Sequence, residues 1–304
     1  MPDEYKIDEF LYMNWLRPEG VVWDAMASKL IGEELLQSNN ILEIGIGNGY
    51  FTFMTLKGRF KKSYDWYYNV NIEGFWDNQD IYNSVNVSNI QDFIEKSPCK
   101  RLNSAIDHKE NLLSQANQLN FVDDLICMDA NEPLEFANIK TVYSNILYWL
   151  KDPMKTLQNI ETNLESDGKV VLVFPNSHFL EYCQSYQNNK STIWKLINRG
   201  RANSMMWFSD IDKFSKNIQT YTNFKIERSQ RYLSKLTLNT WDIGLRPLSP
   251  HLIKMANNLP ADKRLEIKEE WCDTCRKFIY ELLENEIEKG NKEGGFNFVV
   301  LRKK

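Results

Sequence analysis

The sequence predicts an α/β fold, a doubly wound and mostly parallel sheet with helices on both faces. Short segments that are apolar along their whole length alternate with longer segments whose apolar residues recur at helical spacing. Strands without a polar face are typical of a sheet that helices cover on both sides. The predicted strands lie at residues 41–44, 102–107, 124–128, 139–145 and 169–174, and the predicted helices at residues 20–36, 108–119 and 152–165.

The last third of the chain continues this pattern. It predicts a strand near residues 224–227, a long helix over residues 262–289 and a final strand over residues 296–301. Gly290 directly follows the helical pattern, at a position where glycine commonly ends a helix. We therefore expect the long helix to end there.

Composition narrows the class of protein. With 42% hydrophobic and 26% charged residues, the 304-residue chain is expected to be globular. A net charge of −4 gives no basic footprint for nucleic acid, and no apolar run is long enough to span a membrane. The chain start lacks the pattern of a signal peptide, and five scattered cysteines predict reduced thiols of the cytoplasm. The CxxC pair Cys272 and Cys275 has no second pair or histidine cluster nearby, so we expect buried thiols and no metal site.

The most informative segment is EIGIGNG, residues 43–49, a glycine-rich turn between a predicted strand and a predicted helix. Such a turn lets a ligand approach the backbone and the free N–H groups of the following helix. The dinucleotide fingerprint G-x-G-x-x-G, counted from Gly45, would place its third glycine at position 50, which is Tyr50. Here the third glycine is Gly49, and Glu43 precedes the first glycine by two residues.

The string ILEIGIGNGYF resembles motif I of the class I S-adenosylmethionine-dependent methyltransferases. Further segments similar to this family follow in the family's order over residues 102–176. The resemblance implies a seven-stranded sheet with an antiparallel last strand, for which FNFVVL at the chain end is suited, and S-adenosylmethionine as cofactor. It also implies a set of cofactor-binding residues, namely Glu43, Gly45, Gly47, Gly49, Asp107, Met128, Asp129, Ser144 and Asn145.

Each of these residues would have a role in the family's binding mode. The resemblance implies that Asp107 holds the ribose hydroxyls, that Asp129 meets the adenine amino group and that Met128 packs on the adenine ring. Ser144 and Asn145 would lie beside the methionine half of the cofactor.

One departure from the family pattern concerns the ribose acid. Family members usually place it much closer to the glycines, whereas Asp107 lies 58 residues after Gly49. Glu73 is the alternative, 24 residues after Gly49 and next to a strand-like segment. We favour Asp107, because the interval from Asp107 to Asp129 contains a helical segment and fits one strand–helix–strand step.

No Pro-, Gly- or Ser-rich linker divides the chain. We therefore expect a single methyltransferase domain over residues 1–304, with insertions at residues 56–100 and 177–290. These helical and irregular insertions would form a cap on the substrate side of the sheet. The alternative for the aromatic part of the first insertion is a covering subdomain that packs a small core of its own.

Five residues are candidates for contact with the substrate. His178 follows a predicted strand at the edge where open α/β sheets bind ligands, so it is a candidate general base, or else a loop histidine at the pocket rim. Arg246 could grip a polar acceptor or only pair with a loop carboxylate. We expect at least two of the five to lie at the cofactor's sulfur side in one shared cavity. The candidates are His178, Tyr64, Trp66, Tyr67 and Arg246.

The sequence thus favours a methyltransferase that acts on an O or N nucleophile of a small or medium metabolite, a sugar or glycan precursor being one candidate. Large insertions, the absence of a basic patch and 13% aromatic residues favour a small-molecule partner over nucleic acid or membrane. A non-catalytic S-adenosylmethionine-binding regulator or scaffold is the alternative. The glycine spacing disfavours a nicotinamide-dependent oxidoreductase. No sequence pattern predicts an oligomeric state.

Overall fold

A seven-stranded sheet organises the protein, which a computed structural model describes over residues 2–68, 70, 89–188, 190–194 and 204–304. Two short strands, β2 and β3, pair with each other outside this sheet. The strands, in chain order, are β1 (Ile41–Ile44), β2 (Arg59–Phe60), β3 (Ile94–Lys96), β4 (Leu102–Asp107), β5 (Val122–Cys127), β6 (Ile139–Ser144), β7 (Leu164–Pro175), β8 (Phe224–Tyr232) and β9 (Phe296–Lys303).

The order of the strands across the sheet is β5-β4-β1-β6-β7-β9-β8. Strand β1 pairs in parallel with β4 and with β6, whereas β9 runs antiparallel to both of its neighbours, β7 and β8. This arrangement confirms the predicted doubly wound, mostly parallel sheet with an antiparallel last strand. Because β1 and β4 are neighbours, it also confirms residues 102–107 as the strand beside the glycine-rich turn.

Helices connect the strands and cover the sheet. Within the described residues, none is long and apolar enough to cross a membrane. Short 3-10 turns lie at Pro2–Tyr5, Pro18–Gly20, Ile90–Phe93, Leu147–Trp149 and Arg246–Leu248. The α-helices are α1 (Ile7–Met13), α2 (Val21–Leu35), α3 (Tyr50–Thr55), α4 (Glu110–Gln118), α5 (Pro153–Asn163), α6 (Ser177–Tyr182), α7 (Gln184–Gln187), α8 (Ile211–Tyr221), α9 (Lys235–Ile243), α10 (Ser249–Asn257) and α11 (Ala261–Glu293).

The sheet separates two apolar layers, which explains why its strands lack a polar face. In β6, Tyr143 packs in the layer that contains α2 and α11, and its neighbour Val142 packs in the layer that contains α5 and α8. Strand β7 alternates in the same way, with Val171 on the first side and Leu172 on the second. Successive side chains of a strand point to opposite faces, so both faces must be apolar when both are covered.

The long C-terminal helix does not end where the sequence suggested. Helix α11 continues through Gly290 to Glu293, so the prediction of a helix end at Gly290 is wrong. Gly290 has another function: a Cβ at that position would collide with the carboxylate of Glu286. That carboxylate accepts hydrogen bonds from the backbone N–H groups of Leu233 (2.7 Å) and Ser234 (2.6 Å), which follow β8. A glycine is therefore needed to leave room for a buried side chain.

The CxxC pair lies on the buried side of the same helix. Cys272 and Cys275 are both buried, and burial raises the pKa of the Cys272 thiol to about 12. The described part of the chain contains no group of three or more metal-ligating side chains. The prediction of buried thiols is confirmed.

The two predicted insertions differ in what they contribute. Residues 177–290 include β8 of the main sheet as well as helices, so part of this segment belongs to the sheet and its cover. In the first segment, residues 62–65 are held against α11. The Asp65 carboxylate pairs with Arg264 at 2.7 Å, and Lys268 donates hydrogen bonds to two backbone carbonyls of this segment, at 2.9 and 2.6 Å. A capping role for the two segments stays a prediction.

The pair of Arg264 and Asp65 should contribute strongly to stability. Both side chains are less than a tenth exposed. We expect Arg264→Ala to lower the free energy of unfolding by about 3–5 kcal/mol, because the Asp65 carboxylate would stay buried without its cation. Urea denaturation followed by tryptophan fluorescence measures this loss. The control is Arg276→Ala, which breaks exposed pairs with Asp8 and Asp273 and should cost about 1 kcal/mol or less. Equal losses in the two variants would contradict the prediction.

Candidate cofactor-binding site

The glycine-rich turn connects the end of β1 to the start of α3. Gly45, Gly47 and Gly49 have φ angles of 85°, 59° and 77°, in the left-handed region that only glycine adopts readily. A Cβ at Gly45 would meet the Ile146 side chain at 2.6 Å, whereas a Cβ at Gly47 would meet no protein atom within 4 Å. The backbone at Gly47 therefore borders open space, where a ligand can approach it closely.

Asp107 ends β4, directly beside this turn. Its carboxylate accepts hydrogen bonds from the Gly47 N–H (2.9 Å) and the Lys109 N–H (3.0 Å). The side chain is only 9% exposed. The structure thus brings Asp107 and the glycine turn together, as predicted. Its contact with a ribose stays a prediction, and the alternative residue, Glu73, lies outside the described residues.

Met128 and Asp129 follow the neighbouring strand, β5. The Met128 N–H donates to the Asp107 carbonyl at 3.0 Å, which ties the two strand ends together. Asp129 is exposed and accepts hydrogen bonds from the Asn131 N–H (2.9 Å) and side-chain amide (2.7 Å). These two hydrogen bonds lower the pKa of Asp129 from its usual value, and the bond from the backbone N–H has the larger effect. Asp129 is therefore an anionic acceptor at the site's edge, which suits an amino group.

Ser144 and Asn145 end β6, on the other side of β1. Ser144 is buried, and its hydroxyl accepts a hydrogen bond from the Ile146 N–H at 3.3 Å. Asn145 is half-buried. The ends of four adjacent parallel strands thus place all the predicted cofactor residues along one edge of the sheet.

Glu43 is the deepest polar group of this edge. It is 1% exposed, and its Oε1 accepts a hydrogen bond from the Thr52 hydroxyl at 2.8 Å. Its Oε2 is enclosed and has no hydrogen-bond partner in the part of the chain described. Burial raises the pKa of Glu43 to about 8, and the charge of Asp107 acts in the same direction. The unpartnered oxygen is consistent with a polar ligand nearby.

The structure places His178 in the first turn of α6. Its ring stacks on that of Tyr182, with ring centroids 5.5 Å apart. The adjacent Phe179, rather than His178, packs against Trp23 and Phe296. Within the part of the chain that the structure describes, no hydrogen bond or ring contact joins His178 to a cofactor-site residue, so its role as a base stays a prediction.

The aromatic candidates of the first insertion are buried. The Tyr64 hydroxyl lies 2.5 Å from that of Tyr50, the first residue of α3, so Tyr64 is brought near the glycine turn. Tyr64 also lines a cavity of about 440 Å³ between α1 and β2, which neither His178 nor any glycine of the turn borders. Trp66 and Tyr67 have ring centroids 4.1 Å apart, and Trp66 donates its indole N–H to the Met13 carbonyl.

Of the four substrate candidates whose side chains the structure describes, only Tyr64 lines this cavity. Arg246 begins a 3-10 turn, and its side chain lies outside the described residues. The prediction that two or more of the five candidates meet at the cofactor's sulfur side stays a prediction.

Sequence reasoning missed a cluster of six aromatic rings at the same edge of the sheet, which we call the aromatic chamber. Phe296 lies at its centre, with ring centroids 4.6 Å from Trp23, 5.5 Å from Phe179 and 5.8 Å from both Tyr148 and Tyr232. The sixth ring, Trp241, lies 4.6 Å from Trp23. The high aromatic content was the one available signal. The members of the aromatic chamber are Trp23, Tyr148, Phe179, Tyr232, Trp241 and Phe296.

No family model matches the chain, and none of the curated proteins compared with it matches. Among solved structures, the chain is similar to the cyclase SpnF, with 11% identity over 91% of this chain and 80% of that one, and a TM-score of 0.47. It is also similar to a methyltransferase from Thiobacillus denitrificans in complex with S-adenosyl-L-homocysteine. The identity is 12% over 91% of this chain and 90% of that one, with a TM-score of 0.45. The chain is also similar to coclaurine N-methyltransferase bound to N-methylheliamine and S-adenosylhomocysteine. The identity is 13% over 92% of this chain and 72% of that one, with a TM-score of 0.46.

Gly45 and Gly47 differ in what a Cβ would meet, and this difference tests the assignment of the cofactor site. We expect Gly47→Ala to fold, with a loss of about 1–2 kcal/mol for the left-handed backbone, and to lose binding of S-adenosylhomocysteine because the Cβ occupies the open space. Gly45→Ala should be less stable, because its Cβ meets Ile146. Calorimetry and thermal melting measure the two effects. The control is Gly20→Ala, where a Cβ has open space and φ is ordinary, and which should bind normally. Normal binding by Gly47→Ala would contradict the assignment.

The identity of the ribose acid can be tested in the same way. Asp107→Asn should weaken binding of S-adenosylhomocysteine by about 1–3 kcal/mol, the usual cost of losing a charge-assisted hydrogen bond. Glu73→Gln should leave the affinity nearly unchanged. The opposite pattern in calorimetry would assign the ribose to Glu73.

Proposed function

We propose that the protein transfers the methyl group of S-adenosylmethionine to an O or N nucleophile of a small or medium-sized metabolite. One observation carries the proposal: the glycine turn presents open backbone at Gly47, beside the Asp107 carboxylate, at the edge where parallel strands end. Open α/β sheets bind ligands at that edge, and glycine-rich turns before a helix allow close backbone contact.

The residues present fit the cofactor. Gly47 leaves space for it, Asp107 offers a carboxylate to the ribose, and the anionic Asp129 with Met128 suits the adenine. The unpartnered oxygen of Glu43, together with Ser144 and Asn145, lies towards the methionine half in this proposal.

The cofactor supplies a methyl group already activated by a sulfonium. The chain's own residues therefore have mainly to align the acceptor and exclude water. A hydroxyl acceptor would also need a general base, for which His178 is the proposed residue. Tyr64, Trp66, Tyr67 and Arg246 are proposed as acceptor contacts.

The acceptor and the location of the protein are further parts of the proposal. A mildly acidic chain without a basic patch favours a small-molecule acceptor in the cytoplasm, such as a sugar or glycan precursor, over nucleic acid or membrane. The aromatic chamber lies at the same edge of the sheet and favours an acceptor with apolar surface.

Binding and turnover separate this proposal from its alternatives. In calorimetry we expect S-adenosylmethionine and S-adenosylhomocysteine to bind at least about tenfold more tightly than NAD, a difference of about 1.4 kcal/mol. Release of S-adenosylhomocysteine in the presence of a metabolite panel measures transfer. Tighter NAD binding would contradict the cofactor assignment. Tight S-adenosylmethionine binding without transfer to any acceptor would favour a regulatory or scaffold protein.

A further inference from the structure

The carboxyl group of Asp24 lies near the aromatic chamber, close enough to Tyr232 to act on its pKa. Asp24 follows Trp23 in α2, and its Oδ2 accepts a hydrogen bond from the Asn14 side chain at 3.0 Å. Asp24 and Tyr148 lie deep among protein atoms, yet both keep part of their surface accessible. A ligand that reaches the accessible surfaces of both side chains would contact a carboxyl group and an aromatic ring.

Two buried hydroxyl groups face the same region. Tyr232 is 1% exposed, and its hydroxyl has no hydrogen-bond partner among the residues the structure describes. The Tyr143 hydroxyl is enclosed as well, with the Asn145 side chain beside it. Tyr148 and Asp24 are close enough to Tyr232 to contribute, after burial, to the rise of its pKa. An enclosed hydroxyl without a partner is costly, so a polar ligand group here would be stabilised.

The chamber adjoins the cofactor edge. Tyr143 in β6 is the register partner of Glu43 in β1, and Glu43 is two residues from Gly45. Glu43, Tyr232 and Tyr148 all act on the pKa of Tyr143, which burial raises well above its usual value. A ligand held by Tyr143 and Tyr232 would therefore lie beside the proposed cofactor.

The charges around the chamber favour a cation. The carboxyl groups that act on this region are Asp24, Glu43 and Glu286. The cation acting on Asp24 is Arg17, which also pairs with Glu19 at 3.2 Å. Burial raises the pKa of Asp24 to about 7, against the opposing effect of Arg17 and Asn14. Aromatic faces also attract cations, so an ammonium group would be stabilised both by the carboxyl and by the rings.

We propose that the aromatic chamber binds the methyl acceptor, and that this acceptor is an amine on an apolar or aromatic skeleton, with its nitrogen at Asp24, Tyr143 and Tyr232. The inference rests on the proposed function. In the reaction, the bound ammonium first gives one proton to the Asp24 carboxylate, which frees the nitrogen lone pair. The lone pair then forms the new N–C bond while the sulfonium C–S bond breaks and its electron pair stays on sulfur. The positive charge passes from sulfur to nitrogen, and no further reactant is needed.

A matched pair of probes tests the inference. Phenethylamine and 2-phenylethanol share a skeleton and differ in the group that Asp24 would recognise. In calorimetry with protein saturated by S-adenosylhomocysteine, we expect the amine to bind at least about tenfold more tightly than the alcohol, as expected when an ion pair is added. Equal affinities, or tighter binding of the alcohol, would overturn the inference.

Variants locate the binding of the amine. Asp24→Asn should fold at least as stably as the wild-type protein, because it removes a carboxyl that burial disfavours. It should weaken phenethylamine binding about tenfold or more and leave S-adenosylhomocysteine binding unchanged. Tyr232→Phe should weaken amine binding several-fold. The controls Asp123→Asn and Tyr221→Phe alter exposed side chains and should change neither affinity.

The outcomes separate the two proposals. If S-adenosylhomocysteine binds but Asp24→Asn leaves amine affinity unchanged, the amine site is wrong and the proposed cofactor function stands. If S-adenosylhomocysteine does not bind the wild-type protein, the proposed function itself fails. Transfer of a methyl group to phenethylamine, lost in Asp24→Asn and kept in Asp123→Asn, would support both.

Discussion

The hydrogen bond from the Gly47 N–H to the Asp107 carboxylate holds the candidate site together. It joins the turn after β1 to the end of β4, and the Asp107 carbonyl in turn receives the N–H of Met128 after β5. Three strand ends are thereby held in one arrangement before any ligand arrives. A site formed in this way loses little conformational freedom on binding, which favours affinity.

A methyl acceptor also has to be held near the cofactor, and helices that cover the same edge of the sheet supply side chains for this. Helix α2 brings Trp23 and Asp24 to it, and α9 brings Trp241. Helix α11 stabilises this cover through buried charges: Glu286 binds the backbone after β8, and Arg264 and Lys268 hold the segment around Asp65. Buried charged groups are costly unless they are paired, so these contacts constrain how the cover packs.

The distribution of polar groups distinguishes the two halves of the edge. On the cofactor side, Asp107 and Asp129 already accept two backbone or amide hydrogen bonds each, whereas the Oε2 of Glu43 has no partner among the described residues. On the chamber side, the Tyr232 hydroxyl is enclosed without a partner among those residues, and Asp24 accepts one side-chain hydrogen bond, from Asn14. Satisfied groups keep their geometry, whereas unsatisfied ones gain most from a ligand. The physical reason to assign the acceptor to the chamber is that an unpartnered hydroxyl, a carboxyl group and aromatic rings lie near one another there.

The sequence by itself determined the five parallel strands, the glycine turn and the position of Asp107 at a strand end, because each depends on local rules. Apolar runs predict covered strands, and three positive φ angles require glycines at positions 45, 47 and 49. The sequence misplaced the end of α11, because Gly290 does not end the helix but leaves room for the Glu286 side chain one turn earlier. Only the tertiary structure decided the aromatic chamber, whose rings span from Trp23 to Phe296. No local pattern encodes a cluster drawn from separate helices and strands, since only the packing of the sheet and its cover brings those side chains together.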